Sequence, residues 1–411
     1  MASGTATSTA DAYEQLRPLM FAIAYRMTGS VSDAEDIIQE AFLRYHRAQE
    51  RGRESAAGAI ESPKAYLSAV TTRLCIDQLR SARSRRETYQ GEWLPEPLLT
   101  DPAAPDPAGL AEQADSLSMA FLLLLERLSP VERAIFLLHD VFGYGFGEVA
   151  DIVGKSEVNC RQQAARARRH VTEQRPRFEA SRRKREELAD RFLRAVADGE
   201  MAELVSMLAA DAVVYGDSGG TRPSWPRPIT GRDNVGRLLT GLGSQIRELG
   251  IWMRRVEING QPGALVLDAN GNLTNVFVLD IADGQVVTVR SVINPAKLQH
   301  LGPLADLPVL RRELRESRAA HGQLNESGTR GRPDASGDRG QPGEPRDHGE
   351  HGESGATGLP DPGRGPARGR FSWYEHDRVA AAAHDELGVG PSRHPALDAG
   401  GEHHGVALPE Q

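Results

Sequence analysis

The sequence predicts a multidomain chain with two all-α parts, one α+β part and a disordered tail. Three observations carry that prediction. Helical periodicity fills 11–86 and again 115–175, and a linker at 87–114 with five prolines between Pro95 and Pro107 separates them. Short strand-like runs with hairpin turn signals follow a helix within 186–300. Finally, between 321 and 370, Gly and Pro fill 19 of 50 positions with only Leu324 and Leu359 as aliphatic bulk. Such a composition cannot bury enough surface to offset the entropy of ordering, so 311–411 is expected to be disordered. A chain of 411 residues is in any case too long for one ordinary core.

Taken in order, the first helix shows an apolar stripe of Leu16, Leu19, Met20, Ile23 and Met27 and stops at Gly29. Ser32 and Glu35 have the spacing of a capping box for the second helix. In that helix Ala34, Ile37, Ile38, Ala41, Phe42 and Tyr45 recur at helical intervals, and Asp33, Asp36, Gln39 and Glu40 occupy the other side. Acidic residues in a first turn suit the helix dipole, which is a sufficient reason for them without a partner. Ser62-Pro63 opens a third helix through Tyr66, Leu67, Val70, Leu74 and Leu79. It turns basic at Arg73, Arg80, Arg83, Arg85 and Arg86, which suits both a helix C-terminus and a nucleic-acid backbone. In the linker, Trp93-Leu94-Pro95-Glu96-Pro97-Leu98 is too apolar to leave in water and is expected to dock on another part of the chain.

The stretch 145–171 organises the rest. Val149, Ala150, Ile152 and Val153 line one side of a short helix, Gly154 supplies the left-handed turn, and Ser156 can cap the next helix. There Cys160, Ala164, Ala167 and Val171 face inward, leaving Asn159, Arg161, Gln162, Arg166 and Arg169 outward with Gln163 at the boundary. Helix, glycine turn and polar arginine-rich helix form the helix-turn-helix pattern, and Arg and Gln fork onto guanine and adenine edges. A helical hairpin with a merely solvated face is the alternative.

The net charge is −8, yet 155–185 holds eleven Lys/Arg against three Glu, a local basic block suited to phosphate. Cys75 and Cys160 fit no metal or disulfide spacing and fall at apolar helix positions, so buried thiols are expected. Neither a metal site nor a cofactor is expected. The apolar run Met119–Leu125 is too short to span a membrane, and the chain opens with no signal peptide, so a cytoplasmic protein is expected. Further on, a helix through Leu188, Phe192, Val196, Leu204 and Leu208 precedes strands at 212–215, 264–268, 275–281 and 285–292. Asn270-Gly271 and Asp283-Gly284 mark hairpins of an antiparallel sheet.

In combination these motifs resemble an extracytoplasmic-function (ECF) sigma factor of the sigma-70 family. Asp33-Ala34-Glu35-Asp36-Ile37-Ile38-Gln39-Glu40-Ala41-Phe42 resembles the region 2 helix that docks on core RNA polymerase. The resemblance makes Asp33, Asp36, Ile37, Gln39, Glu40 and Phe42 contacts to the β′ and β subunits. It likewise puts Tyr66, Arg73, Arg80 and Arg83 near the melted −10 element of promoter DNA. The 120–171 stretch resembles region 4, so Asn159, Arg161, Gln162, Gln163, Arg166 and Arg169 would read the −35 element. The 93–98 run and Asn294-Pro295-Ala296-Lys297-Leu298 are similar to the subgroup that carries a fused SnoaL-like cone as a built-in regulator. Where that subgroup has Asp-Gly-Gly-Gly-Lys, this chain has Asp217-Ser218-Gly219-Gly220-Thr221, with Arg222 next. Trp93, Pro95 and Glu96 against Asp217, Gly219 and Gly220 form the expected regulatory contact.

The expected function is therefore promoter-specific transcription initiation with no catalysis. One alternative gives the cone a small-molecule ligand to sense. Another has it convert a small molecule, for which Tyr215, Asp217, Asp268 and Asp280 are the available groups, since no His lies between His170 and His300.

Overall fold

The computed structural model describes residues 9–54, 60–87, 89–100, 116–172, 181–221 and 227–310, with 312, 315 and 316. The expected disorder of 311–411, the linker segment 101–115 and Arg222 lie outside the described residues, those three positions of the tail apart.

Three helices open the chain: α1 (Thr9–Thr28), α2 (Val31–Glu54) and α3 (Pro63–Glu87). The capping box expected from Ser32 and Glu35 does not form. Ser30 is the capping residue, its Oγ accepting from the Asp33 N–H at 3.0 Å, while Glu35 pairs with Arg17 across the surface at 2.8 Å. Among the described residues four shorter helices follow: α4 (Met119–Leu125), α5 (Pro130–Phe136), α6 (Phe146–Val153) and α7 (Glu157–Thr172), with a π turn (Leu137–Val141) extending α5. Ser129 and Glu132 do form a capping box at α5. Gly154 ends α6 with φ +66°, a backbone that a side chain would strain. Ser156 Oγ then accepts from the Asn159 N–H at 3.3 Å to open α7.

The two helical parts share one core. Ile23, Val31, Ile37, Cys75 and Ile76 from α1–α3 belong to the same cluster as Phe121, Ile135, Val149, Cys160 and Ala164 from α4–α7. Burial pushes the Cys75 thiol well above its ordinary range, and both cysteines are buried and unpaired.

The third part begins with α8 (Arg182–Asp198) and α9 (Met201–Met207), and continues as β1 (Leu208–Asp217), β2 (Ile229–Thr230), α10 (Arg232–Glu248), β3 (Trp252–Ile258), β4 (Gln261–Leu267), β5 (Leu273–Ala282) and β6 (Gln285–Val292). The strand order is β2-β1-β6-β5-β4-β3. The sheet is mixed rather than antiparallel throughout, because β1 lies parallel to β6. Helices α8–α10 fill one face with Phe192, Val196, Leu204, Val235 and Leu239 against Phe277, Leu279 and Val289. On the other face Ile258, Leu265, Val276, Val278 and Val292 pack with Leu94 of the linker and Met119 of α4. So the linker is part of a core.

Helices α8 and α10 touch backbone to backbone at Gly243, where an added Cβ would lie at 2.0 Å from the Val196 carbonyl oxygen. Gly243→Ala should therefore force the helices apart and lower the unfolding midpoint by about 5 °C or more. Thermal unfolding followed by circular dichroism checks this; an unchanged midpoint would contradict the close packing.

Candidate functional site

The exposed side of α7 presents Arg161, Gln162, Arg166 and Arg169, while Cys160, Ala164, Ala167 and Val171 are buried behind it. Asn159 and Gln163 are half-buried and joined to each other, Gln163 Nε2 donating to Asn159 Oδ1 at 2.5 Å. Arg161 pairs with Glu157 and lies 5.5 Å from the centre of the Phe146 ring, so its guanidinium is held at the turn side of the helix.

On α2, Asp36 and Gln39 are exposed and Asp33, Glu40 and Phe42 are half-buried. Asp33 accepts from Gln78 Nε2 at 3.0 Å, Glu40 pairs with Arg44 at 2.7 Å, and the Phe42 ring lies 4.3 Å from that of Tyr13. Ile37, at 7 % exposure, belongs to the shared core rather than to the exposed side of the helix. The exposed apolar residue on this face is instead Leu43, one turn beyond Gln39 and Glu40, which sequence periodicity had not singled out.

On α3, Tyr66 packs on Tyr45 and Arg80 is exposed beside Asp77. Arg83 continues the same helix, its side chain outside the described residues. Arg73 is exposed on the same helix and turned towards α6. Its Nε and Nη2 donate to the carbonyls of Ile152 and Asp151 at 2.9 and 2.8 Å, satisfying the open C-terminus of α6. Nearby, Ser68 Oγ and the Tyr144 hydroxyl are 2.7 Å apart, and Arg133 Nη1 donates to the Met27 carbonyl at 2.5 Å. Burial lowers the Arg133 guanidinium to about 10, so it stays charged at neutral pH.

The linker runs between the helical part and the sheet and bonds both. Glu96 Oε2 accepts from the Val31 and Ser32 N–H groups at 2.7 and 3.1 Å, and its Oε1 from the Ser30 and Ser32 hydroxyls at 2.8 and 3.0 Å. This carboxylate, from 64 residues further along the chain than Ser32, fills the role assigned to Glu35. Two residues back, the Leu94 N–H donates to Asp217 Oδ2 at 2.8 Å. Asp217 is fully buried; Lys297 Nζ also donates to Oδ2 at 2.6 Å, and Oδ1 accepts from the Tyr89 hydroxyl and the Gly219 N–H. Lys297 further bonds the Leu94 carbonyl and lies 4.4 Å from the centre of the Trp93 ring. Gly219 and Gly220 both have positive φ, and a Cβ on either would strike Asn294 or Gln90. Trp93 is thus linked to Asp217 through Lys297, the cation of this contact, whereas Pro95 lies towards Gly29 and Glu96 sits on the α2 N-terminus.

A second tie was not anticipated. At the β3–β4 turn Asn259, fully buried with φ +54°, accepts from the Leu98 N–H at 3.0 Å. Its Nδ2 donates to the Tyr25 hydroxyl at 2.7 Å and the Leu117 carbonyl at 3.0 Å. Burial pushes the Tyr25 hydroxyl above its ordinary range, so it remains protonated and donates to the Glu96 carbonyl at 2.6 Å. Asn259-Gly260 is a hairpin signal of the same kind as Asn270-Gly271, so the turn could have been found; its contacts could not.

Two family models match the chain, Sigma-70 region 2 over 12–85 and Sigma-70, region 4 over 118–171. The chain is 37 % identical over 296 residues, 69 % of its length and 91 % of the relative, to ECF RNA polymerase sigma factor SigJ of Mycobacterium tuberculosis. It is 30 % identical over 290 residues to the probable ECF RNA polymerase sigma factor SigI of the same species, covering 71 % of this chain and 94 % of that one. The crystal structure of M. tuberculosis SigJ matches with a TM-score of 0.56 and 34 % identity, covering 72 % of this chain and all of that one.

Glu96→Ala should leave the Val31 and Ser32 N–H groups without their acceptor and cost about 1–2 kcal/mol of stability. Faster hydrogen exchange at the Val31 and Ser32 amides checks this; unchanged protection would show that the carboxylate is dispensable there.

Proposed function

The chain belongs to the ECF sigma-70 family, and from that premise we propose how its residues divide the work of initiation. It is an RNA polymerase sigma factor, which acts by binding core polymerase and promoter DNA rather than by catalysis. The working segments are 11–86, 115–175 and 186–300, joined by the linker at 87–114. Asp36, Gln39 and Glu40, with Leu43 and Phe42 beside them, form the surface for core polymerase; Asp33 braces it through Gln78, and Ile37 only anchors the helix. Arg161, Gln162, Arg166 and Arg169 read the −35 element, with Asn159 and Gln163 orienting one another at the edge of that face. Tyr66, Arg80 and Arg83 serve the −10 element, joined by Arg73 once it is free.

The SnoaL-like domain regulates this activity by holding a closed arrangement. The observation that carries this reading is the Arg73 guanidinium on the C-terminus of α6, which ties the −10 helix to the first helix of the helix-turn-helix whose second helix reads the −35 element. Elements about 25 base pairs apart are separated by about 85 Å of duplex at 3.4 Å per pair. A chain with α3 against α6 cannot reach both, so initiation requires that the two helical parts separate. The linker ties at Asp217 and Asn259 favour the closed state, since each bonds the sheet domain to a segment that would move. Ligand sensing is less favoured, because the helix-covered face of the sheet is filled by side chains such as Phe192 and Leu239.

Arg166→Ala should lower −35-dependent transcription about 5- to 100-fold, the worth of one bidentate base contact, while leaving core binding intact. Equal activity on a promoter with a scrambled −35 element, before and after the change, would refute the assignment. Asn259→Gly keeps the left-handed backbone and removes three hydrogen bonds. It should raise initiation in vitro at saturating core enzyme; a fall with the fold intact would mean that the tie supports activity instead.

A further inference from the structure

Helix α7 presents one side chain that its own fold leaves unused. Val158 is 62 % exposed, the most exposed large hydrophobic among the described residues. It is the second residue of α7, and 158, 161, 162, 165, 166 and 169 follow the i, i+3, i+4, i+7, i+8, i+11 spacing of a single helix face, every one of them exposed. Val158 therefore stands in line with the arginines and the glutamine, at the N-terminal end. That end of a recognition helix is the one that meets base edges. A β-branched residue there helps neither helix propensity nor solubility. The major groove does offer one apolar feature for it, the C5-methyl of thymine.

We propose that Val158 is a specificity-determining residue of −35 recognition, its methyl groups packing on the C5-methyl of one thymine. The proposal rests on α7 being the −35 reader. Hydrogen-bonding side chains on this face discriminate by donors and acceptors; Val158 adds a contact that senses a methyl group alone. It would be lost on cytosine, and on uracil in an otherwise identical pair.

The test uses holoenzyme reconstituted from the full chain and core polymerase. A duplex pool randomised in the −35 segment is first selected for binding. The enriched promoter is then synthesised with each −35 thymine replaced in turn by deoxyuridine, which lacks only the methyl. For the unaltered protein, one replacement should weaken binding about fourfold, the value of a single buried methyl. Val158→Ala should bind the parent promoter about fourfold more weakly and be indifferent to that replacement, with discrimination at other positions unchanged. Because Val158 is solvent-exposed, the variant should keep its unfolding midpoint and its affinity for core polymerase. A selected element without thymine, indifference of the unaltered protein to every replacement, or a variant that stays sensitive at the same position would overturn the proposal. Enrichment of no −35 sequence at all would overturn it too, by removing base reading from α7 altogether.

Discussion

The structure depends on a carboxylate buried where three segments meet. Asp217 ends β1, and its two oxygens take up Tyr89 and Leu94 of the linker, Gly219 of its own loop and Lys297 beyond β6. An isolated charge in such a place would be costly; paired with a buried ammonium and satisfied by hydrogen bonds, it becomes a fixed point. Lys297 extends that point to the Leu94 carbonyl and the Trp93 ring. Removing either partner would strand the other charge, a penalty that ordinary surface pairs do not carry.

From that point the linker passes its order to the helices. Leu94 fills the outer core of the sheet, and two residues later Glu96 caps α2, the helix proposed to face polymerase. Tyr25 and Asn259 close the circuit between α1, the linker and the β3–β4 turn. The sheet domain is thereby bonded to the helical parts through the linker. Region 4 is held on region 2 by a shared apolar core as well as by Arg73 and Arg133. The proposed opening would expose that core, so the binding energy of polymerase and promoter would have to supply what the closed contacts give up.

Much of this was legible in the sequence, for physical reasons that differ from element to element. The helix-turn-helix announced itself because Gly154 and Ser156 act locally, within a few residues of what they shape. The hairpins at Asn270-Gly271 and Asp283-Gly284 are equally local. Helix α10 escaped because Gly236, Gly241 and Gly243 weaken its propensity, and Gly243 is there for a tertiary reason, contact with α8. Strand β3 was obscured by Arg254 and Arg255. The parallel pairing of β1 with β6 joins residues 75 to 78 positions apart, and no local pattern records it. At the site the failures have the same origin: Glu35 had the right spacing for a cap, but Glu96 occupies the place. The apolar 93–98 run did reveal that it docks, whereas Asn259, which receives it, reads only as a turn.

The central claim is that the free chain is closed and that initiation separates its two DNA-facing parts. Its most direct test is a distance between spin labels on Asp77 of α3 and Lys155 at the α6–α7 turn, both exposed, measured by double electron–electron resonance. The free protein should give one short distance, and the complex with core polymerase and promoter DNA one longer by several tens of ångströms, as the span of about 85 Å between the elements demands. The same short distance in both states would contradict the account.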